Sequence, residues 1–238
     1  MFEAVGRWTC FWARTDVDSE HFHCLVCHVG QPGSLRIPNL RREDYEHFEA
    51  TKDMTNTATV NIVVNNQIHL SEFRPSDKHA LVEHLNDRDI YDRTLRIPFP
   101  YTEGSADNWL TLVADIAKQQ ARQVHWAMRS ANDALIGACG FNGFQVGKSH
   151  QAEVGYWLGK PFWGQGIMTA VVQRICRHAF EEFGLVKIIA HVHPHNPASV
   201  RVLEKCGFQE EGFLRKHCLK DGNFLDVRLF GLLHGDCR

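Results

Sequence analysis

From residue 58 onward the apolar positions follow two periods. Val60, Ile62 and Val64 alternate with polar neighbours, as do Ile68 and Leu70, which predicts strands at about 58–64 and 67–73. Pro75-Ser76-Asp77 supplies a helix start, with Ser76 or Asp77 as cap. Ala80, Leu81, His84 and Leu85 then fall at helical spacing. The prolines of Ile97-Pro98-Phe99-Pro100-Tyr101 hold that segment extended. Trp109, Leu112, Val113, Ile116 and Ala117 form one stripe and predict a second helix within Thr102–Arg122. Val124–Met128 and Ala134–Phe144, with Asn132-Asp133 between them, read as a hairpin. Gly137, Gly140 and Gly143 punctuate its second strand, pointing to bulges or close backbone approach.

The pattern is clearest after residue 151. Ala152, Val154, Tyr156 and Leu158 face one side of a strand, and Glu153, Gly155, Trp157 and Gly159 the other. A turn, Pro161-Phe162-Trp163-Gly164-Gln165-Gly166, feeds a helix whose apolar stripe is Ile167, Val171, Val172, Ile175, Ala179, Phe180 and Phe183, stopped by Gly184. Lys187–His193 alternates as a strand. Asn196-Pro197 reads as an N-cap followed by an N1 proline, opening a short helix to Lys205. Gly212–Leu219 and Phe224–Leu233 flank Lys220-Asp221-Gly222-Asn223, a hairpin turn. Only residues 152–193 form a strand–helix–strand unit, so the fold class is α/β (α+β) with a mixed, mostly antiparallel sheet.

Met1–Thr57 shows no sustained period and is expected to be an extension ahead of a folded domain at 58–238. It holds His21-Phe22-His23-Cys24-Leu25-Val26-Cys27-His28. This Cys-x-x-Cys flanked by histidines resembles half of a zinc site, but a structural zinc takes four ligands and no second pair lies close by, so no metal is expected. The net charge of −2 gives no reason to expect a nucleic-acid partner. No apolar run reaches the roughly 20 residues of a membrane span, and the acidic, h-region-free start does not resemble a signal peptide. The 8 cysteines are scattered through a chain large enough to bury a core without staples, which points to free thiols in a reducing, cytoplasmic compartment.

Candidate chemistry centres on Trp163-Gly164-Gln165-Gly166. Glycines let backbone N–H groups approach a ligand, and the following helix aims its positive end at the same place, a seat for a phosphate or pyrophosphate. A P-loop would end in Gly-Lys-Ser/Thr, but Ile-Met-Thr follows Gly166. A Rossmann fingerprint would need a third glycine where Thr169 stands.

The wider constellation is more specific. Glu153-Val-Gly-Tyr-Trp-Leu, Trp163-Gly-Gln-Gly-Ile-Met-Thr, Ala179-Phe-Glu-Glu-Phe-Gly-Leu, Asn196-x-x-Ser199, Leu203-Glu-Lys-Cys-Gly-Phe and Lys220-Asp-Gly together resemble the GNAT acetyltransferases, in particular the ribosomal-protein (RimJ/RimL) N-acetyltransferase branch. The resemblance runs more loosely back to about residue 60 and does not cover Met1–Thr57. It implies a sheet splayed open between the Ala152–Gly159 and Lys187–His193 strands. It also implies acetyl-CoA as donor and a primary amine as acceptor. The pantetheine would lie in the opening against backbone near Trp157 and Leu158. The pyrophosphate would rest on the N–H groups of Trp163, Gly164, Gln165, Gly166, Ile167, Met168 and Thr169. Pro161 stands at the leading position of the family's Q/R-x-x-G-x-G/A motif, a departure that leaves the backbone cradle intact.

Acetyl transfer to an amine needs a route for the amine's proton, a donor to the carbonyl oxygen, and some help for the leaving thiolate. By family analogy Glu153 is the candidate base, while an exposed strand-end glutamate is the competing reading. His191 and His193 are further base candidates. The tyrosine acid of many GNAT enzymes is replaced here by Leu203, and the Asn-x-x-Ser pattern offers Ser199 instead, as a catalytic and cofactor-binding residue. Asn196 is read as N-cap and pantetheine contact at once. Phe99, Tyr101 and Tyr156 are expected at the acceptor. Cys139 and Cys206 are read as buried small hydrophobes. The acceptor stays open between a protein N-terminal amine and a small-molecule amine, and the alternative function is a non-catalytic acyl-CoA-binding module.

Overall fold

A computed structural model describes residues 61–237. The region 1–57 and its Cys24–Cys27 motif lie outside the described residues. One 8-stranded sheet runs in the order β1-β2-β3-β4-β5-β6-β8-β7. Its strands are β1 (Ile62–Val63), β2 (Ile68–Ser71), β3 (His125–Ser130), β4 (Leu135–Asn142), β5 (Gln151–Leu158), β6 (Lys187–Val192), β7 (Gln209–Lys220) and β8 (Asn223–Leu233). Only β5 and β6 pair in parallel; every other neighbour is antiparallel, as expected from a single strand–helix–strand unit.

The helices are α1 (Lys78–Leu85), α2 (Arg88–Arg93), α3 (Glu103–Gln120), α4 (Ile167–Phe183) and α5 (Pro197–Lys205). The stripe of α4 buries Val171, Val172, Ile175, Ala179, Phe180 and Phe183 against Ala152, Val154, Leu158 and Ile188 of the sheet. A smaller core gathers Leu81 and Leu85 of α1, Ile90 of α2, Ala106 of α3 and Tyr101 around Ala127 and Leu135, with Trp157 packed on it. The even and odd positions of β5 therefore serve different cores, as a period of two requires.

Two local expectations are corrected. Asp77 precedes α1 but makes no side-chain cap there. Its carboxylate instead receives both terminal nitrogens of buried Arg129 at 2.9 Å each, while Arg129 Nε donates to Ser71 Oγ at 2.6 Å. A buried guanidinium requires such a partner, and the same carboxylate also accepts the Arg74 N–H at 2.7 Å, closing the Pro75–Asp77 turn that leads into α1. The charged run after Leu85 also forms a helix, α2, which periodicity did not reveal. Asp87 caps it by accepting from the N–H groups of Asp89 and Ile90, at 2.7 and 3.3 Å.

Candidate active site

β5 and β6 bond only over Gln151–Glu153 against Lys187–Ile189 and then diverge. The gap is the mouth of a cleft of about 830 Å³. β5 stays paired to β4 from Glu153 to Leu158. Gly159 N–H donates to Ile136 C=O at 2.8 Å, and Gly137 lies opposite Leu158. By antiparallel alternation the main chain of Trp157 then bonds β4, whereas that of Tyr156 and Leu158 faces the opening. Trp157 is thus corrected from a backbone contact in the opening to a side-chain wall, half-buried with its ring 6.3 Å from that of His84.

The glycine turn lies at the end of the same cleft. Gly164 and Gly166 have φ of +76° and +78°, and space is open where a Cβ would stand. Ala170 N–H is the first to close an α4 bond, back to Gly166 C=O at 3.2 Å. The N–H groups of Ile167, Met168 and Thr169 precede it at the helix N-terminus, where no side chain caps them. The turn is braced by Gln165 Nε2 on Pro161 C=O at 3.2 Å and tied to β5 by Trp163 Nε1 on Leu158 C=O at 2.7 Å. That second bond occupies the Leu158 carbonyl, leaving its N–H and the Tyr156 main chain as the β5 groups toward the opening. A bare helix N-terminus, a left-handed glycine turn and an open strand edge fit a pantetheine pyrophosphate arm.

On the α4 side of the sheet, Asn196 Oδ1 accepts the Ser199 N–H at 3.2 Å, capping α5. Ser199 Oγ lies 2.8 Å from the Tyr156 hydroxyl. Tyr156, expected at the acceptor, is therefore placed beside Ser199, on the opposite face of the sheet from Glu153. Burial pushes its phenol above the ordinary range, against a smaller lowering by Ser199.

The opposite face of the sheet carries Glu153. Its Oε1 lies 3.1 Å from His191 Nδ1 and its Oε2 3.6 Å from a terminal nitrogen of Arg96. Burial alone would raise this carboxyl, but the hydrogen bond to His191 and the charges of His191, Arg96 and His217 together hold it below the usual range. The His217 ring stacks on His191 with centroids 5.0 Å apart. His193, in contrast, is buried and stacks on His195 at 5.3 Å, away from this pair.

His125 and Asn142 complete this face, and sequence reasoning missed both. His125 Nε2 lies 3.2 Å from Asn142 Oδ1. The imidazole lies flat across Gly140, where an added Cβ would come within 2.4 Å of His125 Cδ2. The glycine punctuation of β4 was the available signal. Burial pushes the His125 imidazole down. Trp109 sits edge-on to it at 5.7 Å.

Of the other two aromatics expected at the acceptor, besides Tyr156, Tyr101 lines the cleft and is buried. Phe99 does not line it; its ring packs 5.4 Å from Tyr91 and under Arg88. The Pro98-Phe99-Pro100 segment turns it outward. α2 spans the cleft's rim. Lys160 reaches Asp89 at 2.5 Å and Arg93 lies over the Trp163 ring at one end. At the other, the β7–β8 turn grips α2 through Lys220 on Tyr91 and Thr94 carbonyls and Tyr91 on Asp221. Cys139 and Cys206 are buried and their thiols pushed up by burial, Cys206 to about 12.

Comparisons with known proteins decide the family. The acetyltransferase (GNAT) domain profile matches residues 67–209. The chain belongs to the GNAT acetyltransferases. It is 29% identical over 168 residues to the uncharacterized N-acetyltransferase p20 of Bacillus licheniformis, covering 70% of this chain and 93% of that one. It is 29% identical over 102 residues to the [ribosomal protein uS5]-alanine N-acetyltransferase of Escherichia coli (strain K12), covering 43% of this chain and 53% of that one. The fold superposes on RimL, a ribosomal L7/L12 alpha-N-protein acetyltransferase in complex with coenzyme A, with a TM-score of 0.66 at 19% identity, covering 73% of this chain and 98% of that one. As a GNAT member this chain is an N-acetyltransferase. No helix among the described residues is long and apolar enough to cross a membrane.

Proposed function

We propose that residues 58–238 form a catalytic domain that acetylates a primary amine by direct attack in a ternary complex with acetyl-CoA, residues 1–57 being an extension to it. The observation that carries this reading is the break in β5–β6 pairing after Glu153 and Ile189, which opens onto the bare N–H groups of α4. Acetyl-CoA, when bound, supplies an acetyl thioester as the electrophile. Ile167, Met168 and Thr169 N–H hold its pyrophosphate, with Trp163, Gly164, Gln165 and Gly166 shaping that seat. Tyr156 and Leu158 main chain and the Asn196 amide hold the pantetheine.

The remaining roles belong to side chains on either face of the sheet. Glu153, kept ionised, is a weak base by itself but a strong anchor. It receives His191 Nδ1–H and so leaves the Nε2 lone pair to take the amine's proton. The β5 N–H groups facing the opening donate to the carbonyl oxygen as charge develops there. Tyr156, a neutral phenol, donates to Ser199 Oγ, and the serine's own hydrogen then serves the departing sulfur. The C–N bond forms as the C–S bond breaks, and the thiolate, with an ordinary pKa near 8.5, leaves as such or takes a proton. Buried Cys139 is no acyl carrier.

The test is thiol release from acetyl-CoA over a panel of amines and peptides, with acetyl-CoA binding followed by titration calorimetry. Glu153→Gln and His191→Asn should each lower kcat by roughly ten- to a hundredfold while leaving acetyl-CoA affinity within a factor of about two. Measurable binding without acetylation of any amine would overturn the reading.

A further inference from the structure

The chemistry of the acceptor is written in the charges of the cleft. Among the described residues lining it, Glu153 is the only carboxylate, and it is already shared by His191 and Arg96. Arg93, Arg96, Arg201 and Lys205 line the same space. Three of these have other work. Arg201 and Lys205 stand one turn apart on the exposed side of α5, whose C-terminal end is tied to α4 through Gln173 on the Lys205 carbonyl and Cys206 on the Thr169 carbonyl, near where an anionic donor lies under the reading above. Arg93 lies over the Trp163 ring, 5.4 Å from its centroid. Arg96 is different. It belongs to the segment between α2 and α3, its side chain is 54% exposed, and its guanidinium reaches the acceptor face at a loose 3.6 Å from Glu153.

A polycation would be badly served here. One carboxylate that already has two partners offers no further counter-charge, and each extra ammonium would meet a guanidinium. A simple monoamine would also leave a mismatch, because an ammonium that takes Glu153 displaces Arg96 from its partner. The arrangement suits a ligand that carries both charges a bond or two apart. Docking a zwitterion exchanges one loose ion pair for two, ammonium on Glu153 and carboxylate on Arg96, and leaves no charge uncompensated. The planar guanidinium fork matches a carboxylate in two-point fashion, which a lysine would not. Beyond these charges, Tyr101, Trp109 and Leu112 give the wall on the α3 side a large apolar and aromatic area, beside the neutral Ser105 and Asn108.

The geometry points to a free α-amino acid with an apolar side chain as the acceptor, with Arg96 the residue that selects for its carboxylate. This rests on the acetyltransfer reading above and narrows it. The amine loses its proton to the Glu153–His191 pair and gains the acetyl group, so the product is an N-acetyl amino acid. It retains the carboxylate for Arg96 and has lost the charge that held it to Glu153, which favours its release.

The experiment uses the full chain with acetyl-CoA and measures thiol release. The acceptors are L-leucine, L-methionine and L-phenylalanine, the carboxamide of each, tripeptides beginning with the same residues, and spermidine. The expected result is a kcat/KM for the free acids roughly ten- to a hundredfold above their carboxamides, from one charge-assisted contact, with peptides and spermidine lower still. Arg96→Gln should erase the gap by raising KM for the acids alone, with kcat within a factor of about two, and Arg96→Lys should restore part of it. Equal turnover of acid and carboxamide by the unaltered protein would overturn the proposal. So would better turnover of peptides or spermidine, or an Arg96→Gln effect common to acids and carboxamides. These results would leave the acetyltransferase reading standing, whereas no turnover of any amine would remove both.

Discussion

The contact between Tyr156 and Ser199 can be tested to a definite magnitude. The two hydroxyl oxygens lie 2.8 Å apart, one on β5 and the other in the first turn of α5, whose N–H is held by Asn196. If Ser199 serves the leaving sulfur, its removal costs a hydrogen bond to a thiolate, about 1.5–3 kcal/mol. At about 1.4 kcal/mol per tenfold, Ser199→Ala should then lower kcat by roughly ten- to a hundred-and-fiftyfold. Tyr156 acts through the serine, so Tyr156→Phe forfeits only an orienting bond between neutral groups. That bond is worth about 0.5–1.5 kcal/mol, or roughly two- to twelvefold in kcat. Thiol-release kinetics on the two single variants and the double variant form a cycle. The expected double variant is no slower than Ser199→Ala alone, because a tyrosine with no serine to orient has nothing left to contribute. KM for acetyl-CoA should hold within a factor of about two in all of them. A Tyr156→Phe effect of the same size in both backgrounds would refute the reasoning and reduce Tyr156 to packing. A Ser199→Ala variant at full rate would remove the serine's role altogether.

Other outcomes follow from the same geometry. Gly166→Ala has room for its methyl group, but the left-handed backbone costs about 1–2 kcal/mol for an L residue; titration calorimetry should show acetyl-CoA binding several-fold weaker, and an unchanged affinity would show that the turn does not depend on that conformation. Arg129→Met strands the buried Asp77 carboxylate and should cost about 3–5 kcal/mol in denaturant unfolding. Adding Asp77→Asn should recover part of that loss, and a cost common to both variants would contradict the ion-pair account. Burial, first among its causes, holds His125, His178 and His193 below the ordinary imidazole range. Their folded pKa lies below the unfolded value, so the unfolded chain takes up protons first as pH falls through about 6.5. The stability is whole above that point and declines below it, and Glu153 extends the decline at lower pH. The thermal midpoint should be level from about pH 7 to 8 and fall toward pH 5, whereas a rise toward pH 5 would refute the sign.

Much of the fold was legible because its periods are strong. The α4 stripe, the alternation of β5 and the Asn196 cap each rest on neighbours within a few residues, and each is found close to its expected bounds. The single parallel pair followed from there being one strand–helix–strand unit. α2 was missed because Arg88–Arg93 is held by a cap and by ties to Lys160 and Lys220, not by a stripe of its own. Phe99 and Tyr101 stand two apart in an extended run, so period alone sends them to the same side. The structure separates them, burying Tyr101 and turning Phe99 onto Tyr91, because the prolines on either side of Phe99 break the regular alternation.

What the sequence by itself determined is the donor half of the chemistry. A glycine turn, the helix after it and the cap of the next helix are local in the chain, and the forces that shape them act over a turn or two. What only the tertiary structure brought together is the proposed acceptor half. Glu153 and His191 are 38 residues apart and meet because β5 and β6 run parallel and in register for their first few residues. His125 comes to Asn142 because Gly140 lets the ring cross its strand, and Arg96 reaches Glu153 from outside the sheet. Side chains brought together by strand register and by packing across a cleft leave no spacing for a sequence to display, so the proposed donor site has a local signature in the chain and the proposed acceptor site has none.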